Sequence, residues 1–168
     1  VDAIIKYAFG HSNPRVYDAA REAIAGMSSD RTIEHIIRKA RSGPLQVRIG
    51  LIDIMGRMSG RKTEDFLIKC LSDSKSNIQS VAAASLGKRR SARAIPHLIK
   101  LLDKLEKRQG TIYQDIKQAL TDITGEDHQH ADDWKTWWDM KKGKFNPATD
   151  RGNKTESTTQ ERARFFEM

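Results

Sequence analysis

Val81-Ala82-Ala83-Ala84-Ser85-Leu86-Gly87 is followed, seven residues after its glycine, by Ala94-Ile95-Pro96-His97-Leu98-Ile99-Lys100-Leu101-Leu102-Asp103. The first stretch is an Ala-rich apolar run ending in glycine. The second repeats its apolar residues at helical spacing behind a proline, which is tolerated in a first helical turn. Together they read as two short helices joined by a tight turn. The pattern recurs outward in both directions. Gly26, Gly56 and Gly87 lie 30 and 31 residues apart, and Gly125 follows after 38. Nine residues before each glycine stands Tyr17, Val47, Ile78 or Ile116, and six before each stands Ala20, Gly50, Val81 or Ala119. Two before are Ile24, Ile54, Ser85 and Ile123. These positions share one helical stripe, and the glycine behind it fits a C′ residue of positive φ.

A second helical pattern follows each of the first three glycines. Ile36-Ile37, Leu67-Ile68 and Leu98-Ile99 recur at intervals of 31, with Ala40, Leu71 and Leu102 a turn further on. Units of about 31 residues, each a helix pair unable to bury its apolar face alone, stack into an all-α superhelix, an α-solenoid. Ile4-Ile5 and Ala8 precede Ile36-Ile37 and Ala40 by 32, so the chain is expected to open halfway through a repeat, with upstream sequence removed. About four helix pairs and a closing helix are expected over residues 1–142, and a polar tail over 143–168. Within that tail, Thr158-Thr159-Gln160-Glu161 is a candidate start of a short helix carrying Phe165 and Phe166, expected to dock on the solenoid or a neighbour.

The quoted third unit resembles the HEAT-like repeat first described in phycobilisome lyases, and the resemblance extends over about residues 14–125. Ala119 to Gly125, continued through Asp133-Trp134-Lys135-Thr136-Trp137-Trp138, is similar to the closing segment of many bacterial HEAT-repeat proteins. Ankyrin and tetratricopeptide signatures are missing. The resemblance implies a non-enzymatic scaffold whose second helices line a concave binding face. Trp134, Trp137 and Trp138 sit at i, i+3 and i+4, where they can cover the open end of the stack. Asp132 or Asp133 would cap their helix.

Composition removes several alternatives. Of 168 residues, Cys70 is the single cysteine, so neither a disulfide framework nor a multi-cysteine zinc site exists within the chain. No apolar run reaches the roughly 18–20 residues of a membrane helix, so no membrane partner is expected. Phosphate-binding glycine loops, zincin motifs and nucleophile elbows are absent, and no catalytic residue is assigned. The lyase activity of some resembling proteins is not carried over, because no matching catalytic residue stands here. Cys70 alternates with core positions and reads as a packed thiol. His128 and His130 with Asp127, Asp132 and Asp133 match no specific metal spacing and read as a polar, helix-capping loop, so neither metal nor cofactor is assigned. Asn153-Lys154-Thr155 fits a glycosylation triplet that is common by chance.

The charge carries more. The chain has a formal charge of +8, divided as +4 over residues 1–84, +6 over 85–108 and −2 over 109–168. Arg31, Lys62 and Arg93 share one register position in the second helices, and Arg38, Lys69 and Lys100 share another seven residues on; Lys6 extends the second row backward. His35, Phe66 and His97 fall between the rows. At about 100° per residue, these offsets point away from the apolar stripe. The expected site is therefore a six-cation grid with two imidazoles and a phenyl ring along its midline. It would receive an acidic segment of a protein partner or, alternatively, a nucleic-acid phosphate backbone. A plain solvated face explains the same charges. Lys88-Arg89-Arg90, expected in an inter-helix loop, would extend the grid to its edge.

Overall fold

The computed structural model describes residues 1–10, 13–27 and 29–150. Among these residues the chain is all-helical, without strands. Its helices are α1 (Asp2–Gly10), α2 (Pro14–Ala25), α3 (Asp30–Ser42), α4 (Leu45–Met55), α5 (Arg61–Cys70), α6 (Ser76–Arg89), α7 (Ile95–Leu105), α8 (Thr111–Thr124) and α9 (Ala131–Lys141). Local chemistry sets several of their boundaries. The Asn13 side chain accepts from the Arg15 amide ahead of Pro14, and Ser29 Oγ accepts from the Thr32 amide. Pro44 precedes α4, and Pro96 sits in the first turn of α7.

The helices form two layers. The first contains α2, α4, α6 and α8, each packed on the next; α1, α3, α5, α7 and α9 make the second. Every first-layer helix packs against the second-layer helix before it. One continuous core runs between them, from Ile24 and Ile36 through Leu51, Leu67, Leu86 and Leu98 to Ile116 and Leu120, all almost inaccessible to water. This is an α-solenoid, as the 31-residue period requires.

The recurring glycines act differently from the expectation. Only Gly125 ends its helix with a positive φ, 77°. Gly26 and Gly56 keep right-handed helical φ values of −73° and −59°. Gly87 lies inside α6, whose left-handed terminal residue is Arg90. What Gly56 and Gly87 permit is close approach of helices. A Cβ on Gly56 would sit 2.8 Å from the Cβ of Ser85, and one on Gly87 would sit 3.1 Å from the Cα of Ala119. Gly50 admits the Phe9 ring of α1 in the same manner. Gly56 and Gly87 therefore mark helix–helix contact points within the first layer.

At the far end, Trp134 is fully buried and Trp137 nearly so. Trp134 Nε1 donates to the His128 carbonyl at 3.1 Å. His130, rather than either aspartate, is the N-cap of α9; Asp133 reaches back to accept from its amide. Phe145, from the stretch that the sequence groups with the tail, packs edge-on against Trp137 and Trp138. The Thr158–Glu161 helix start, Phe165, Phe166 and the Asn153 triplet lie outside the described residues.

Candidate binding surface on the second helix layer

All six grid cations, Arg31, Arg38, Lys62, Lys69, Arg93 and Lys100, are exposed. Their surroundings divide the rows. In the row of Arg31, Lys62 and Arg93, two of the three are held by acids of the preceding repeat. Lys62 Nζ lies 2.8 Å from Glu34 and 3.1 Å from Asp30. Arg93, on a 3-10 turn just before α7 rather than on α7 itself, lies 2.6 Å from both Glu64 and Asp65. Bonds from Glu34 and Asp30 hold the Lys62 ammonium above its ordinary pKa. Burial pushes the Glu64 carboxyl up, but bonds from Ser91 and Arg93 outweigh it and leave the group lowered. Arg93 lowers Asp65 as well. Lys135 of α9 repeats the arrangement, 3.0 Å from Asp103 of α7. These cations lace neighbouring repeats together.

The other row is different. Lys69 and Lys100 form no ion pair or hydrogen bond through their side chains among the described residues, and neither does Arg31. Arg38 makes one contact, 3.3 Å from His35 Nδ1, and His35 Nε2 lies 2.9 Å from Asp2. Among the described residues Arg38, Lys69 and Lys100 are thus exposed and form no ion pair, with Asp65 within electrostatic reach of Lys69. Each borders a groove. One, of about 340 Å³, lies between α3 and α5 and is lined by Arg38, Arg41 and Lys69 alongside Glu34, Lys62 and Asp65. The next, of about 430 Å³, lies between α5 and α7, with Ile68, Leu71 and Leu101 at its apolar wall and Asp73, His97, Lys100 and Lys104 around it.

Three expectations require correction. Phe66 is 5% exposed and belongs to the core; the Arg41 guanidinium lies over its ring, 5.6 Å from the centroid, so it floors the first groove instead of presenting an open aromatic face. His35 is half-buried against Asp2, while His97 remains exposed. Within Lys88-Arg89-Arg90 the two arginines are half-buried and only Lys88 stays exposed. Lys88 meets Asp53, which also holds Arg21 at 2.7 Å. The Arg89 guanidinium donates to the carbonyls of Met55, Met58 and Gly60 and to Thr63 Oγ1, and its burial lowers its pKa. Arg90 bonds the Pro147 carbonyl. A guanidinium at the C-terminal carbonyls of α4 compensates the negative end of that helix.

Two groove residues, Arg41 and Lys104, escape a reading by register. Ser72 stands 31 residues after Arg41 and Asp73 stands 31 before Lys104, so neither lysine nor arginine recurs there. Their signal is local: Arg41 is three residues from Arg38, and Lys104 is four from Lys100, one helical turn each.

Cys70 is 6% exposed, and burial pushes its thiol up to about 12. His128 packs edge-on against Trp134, 4.7 Å between ring centres. Among the described residues no group of three His, Cys, Asp or Glu side chains is placed to hold a metal ion. Among them, too, no helix is long and apolar enough to cross a membrane.

A two-layer stack of helix pairs repeating at about 31 residues, with ion pairs across the repeat boundaries, defines a helical-repeat protein of the α-solenoid class. Within it, residues 33–114 match the family of HEAT repeats, so this stretch carries HEAT-like repeats. HEAT repeats are typically non-catalytic and commonly serve as protein-interaction scaffolds. Comparison with curated proteins finds no match.

Proposed function

We propose that this chain is a non-enzymatic scaffold that binds an acidic segment of a protein partner across the second helix layer, through Arg38, Lys69 and Lys100 with Arg41 and Lys104. The observation that carries the reading is the contrast between the two rows. Arg93 and Lys62 are paired with carboxylates of the preceding repeat, whereas among the described residues Arg38, Lys69 and Lys100 form no ion pair. A face evolved only for solvation gains nothing from leaving one periodic row unpaired while lacing two of the three cations of the other. Unpaired cations beside apolar groove walls steer an anionic ligand in and then give it contact area. Arg31, His35 and His97 border this surface, and Phe66 supports it from beneath.

Glu34 and Asp65 favour a peptide over a nucleic acid. They stand in the first groove among the cations, where a continuous phosphate backbone would meet them at close range. The test is direct competition. A fluorescent glutamate-rich peptide should bind at low salt and be displaced by unlabelled peptide more effectively than by a mixed-sequence DNA duplex of equal charge. Preferential displacement by the duplex would reverse the reading.

A further inference from the structure

Resting on the acidic-segment reading, we propose that the groove between α3 and α5 is a phosphoryl site, receiving a phosphorylated serine or threonine of the bound segment. Arg38 and Arg41 lie one helical turn apart on α3, and Lys69 faces them from α5. Among the described residues none of the three forms an ion pair with a carboxylate; the Arg38 guanidinium bonds His35, and the Arg41 guanidinium lies over the Phe66 ring. A phosphomonoester carries about −1.5 to −2 charges and three acceptor oxygens, against one charge and two oxygens for a carboxylate. Two planar guanidinium forks and an ammonium match the former better, because each fork can engage a pair of oxygens.

The rest of the groove sets the ligand's size. Glu34 and Asp65 complete the lining, and each is already held by a cation, Lys62 or Arg93. The cations left unpaired therefore gather at the Arg38 end of the groove. That end favours one compact dianion over a single carboxylate.

The second groove then says what accompanies it. The grooves flank α5, and packed helices lie about 8–10 Å apart. A peptide in the polyproline-II conformation advances about 3.1 Å per residue with three residues per turn, so about three residues cross α5 and bring the side chain back to the same face. The segment therefore carries an apolar side chain three positions from the phosphorylated one. That side chain seats against Ile68, Leu71 and Leu101, within reach of Lys100.

The probes are two labelled glycine heptapeptides that place phosphoserine three residues before or after a leucine. Each has versions with glutamate or serine in place of phosphoserine, and with glycine in place of leucine. Fluorescence anisotropy should show the phosphoserine version of one order binding at least about tenfold more tightly than its glutamate version. Removing the leucine should weaken it several-fold. Arg38→Gln with Arg41→Gln should reduce it to the glutamate level; both side chains are exposed, so an unchanged melting curve confirms the fold. Equal affinity for phosphoserine and glutamate, indifference to the double variant, or tighter binding of an RNA duplex at these residues would overturn the proposal. No phosphopeptide binding alongside intact binding of the glutamate-rich peptide overturns the phosphoryl site and leaves the acidic-segment reading standing. Loss of both removes both.

Discussion

Lys62 of α5 holds its ammonium 2.8 Å from the Glu34 carboxylate of α3, one repeat earlier in the stack. Arg93 and Glu64 repeat the relationship at the next boundary, 2.6 Å apart. Two of the six periodic cations are thereby absorbed into the architecture. The proposed binding surface is built on the cations that are not absorbed.

The lacing predicts acid sensitivity. Glu64 has its carboxyl lowered from an ordinary 4.5, and Asp73, held by the Lys75 amide and Arg48 against the opposing effect of burial, is lowered from 3.8. A carboxylate with a depressed folded-state pKa contributes stability that is full above its unfolded value and is lost as pH falls through the folded one. Melting temperature should therefore hold between pH 7 and about 5 and decline below about 4.5. Glu64→Gln should flatten that decline; an equally steep fall in the variant would remove Glu64 from the account.

Gly56 offers a sign test. Glycine to alanine in an exposed helix normally stabilises by about 1 kcal/mol. Here the added methyl would lie 2.8 Å from the Cβ of buried Ser85. Gly56→Ala should instead destabilise by about 1–3 kcal/mol in urea unfolding. A gain in stability would show that α4 and α6 have room to spare.

Arg89 is expected to be structural. Its guanidinium serves the carbonyls of Met55, Met58 and Gly60, which would otherwise lose a half-buried donor. Arg89→Met should cost about 1–3 kcal/mol by the same measurement, with peptide binding retained once the fold is present. A binding loss without a stability loss would place Arg89 in the interface.

Cys70 should be inert. With its thiol buried and pushed up to about 12, reaction with a thiol-specific chromogenic reagent at pH 8 should await unfolding. Rapid labelling of the folded protein would contradict the packing of α5.

The solenoid was legible because its evidence is repetition: Ile36, Leu67 and Leu98 return at nearly equal intervals, and all three are buried. The positive-φ reading of the periodic glycines holds at Gly125 and not at Gly26, Gly56 or Gly87. A glycine at a periodic position marks equally well a positive φ or a close approach, and only the position of Ser85 or Ala119 separates them. Phe66 failed for a related reason. A helical wheel counts exposure from one helix alone, whereas Arg41 of the neighbouring helix covers this ring. The salt bridges were hidden too, since the acids lie 28 to 32 residues from their cations and meet them only when the layers are stacked. Lys88-Arg89-Arg90 shows the limit of composition. A run of cations at a helix end reads as a surface patch until its carbonyl partners are known.

The central claim concerns location of charge, so the decisive measurement compares two triple reversals of equal net effect. One is Arg38→Glu, Lys69→Glu and Lys100→Glu on the second layer. The other is Arg15→Glu, Arg57→Glu and Lys144→Glu, three exposed cations outside both grooves and without ion pairs among the described residues. Anisotropy of the glutamate-rich peptide at fixed salt should show at least about a tenfold loss for the first variant and less than about threefold for the second. Equal losses in the two variants would mean that the protein attracts anions through its overall charge alone, and the located surface would be contradicted.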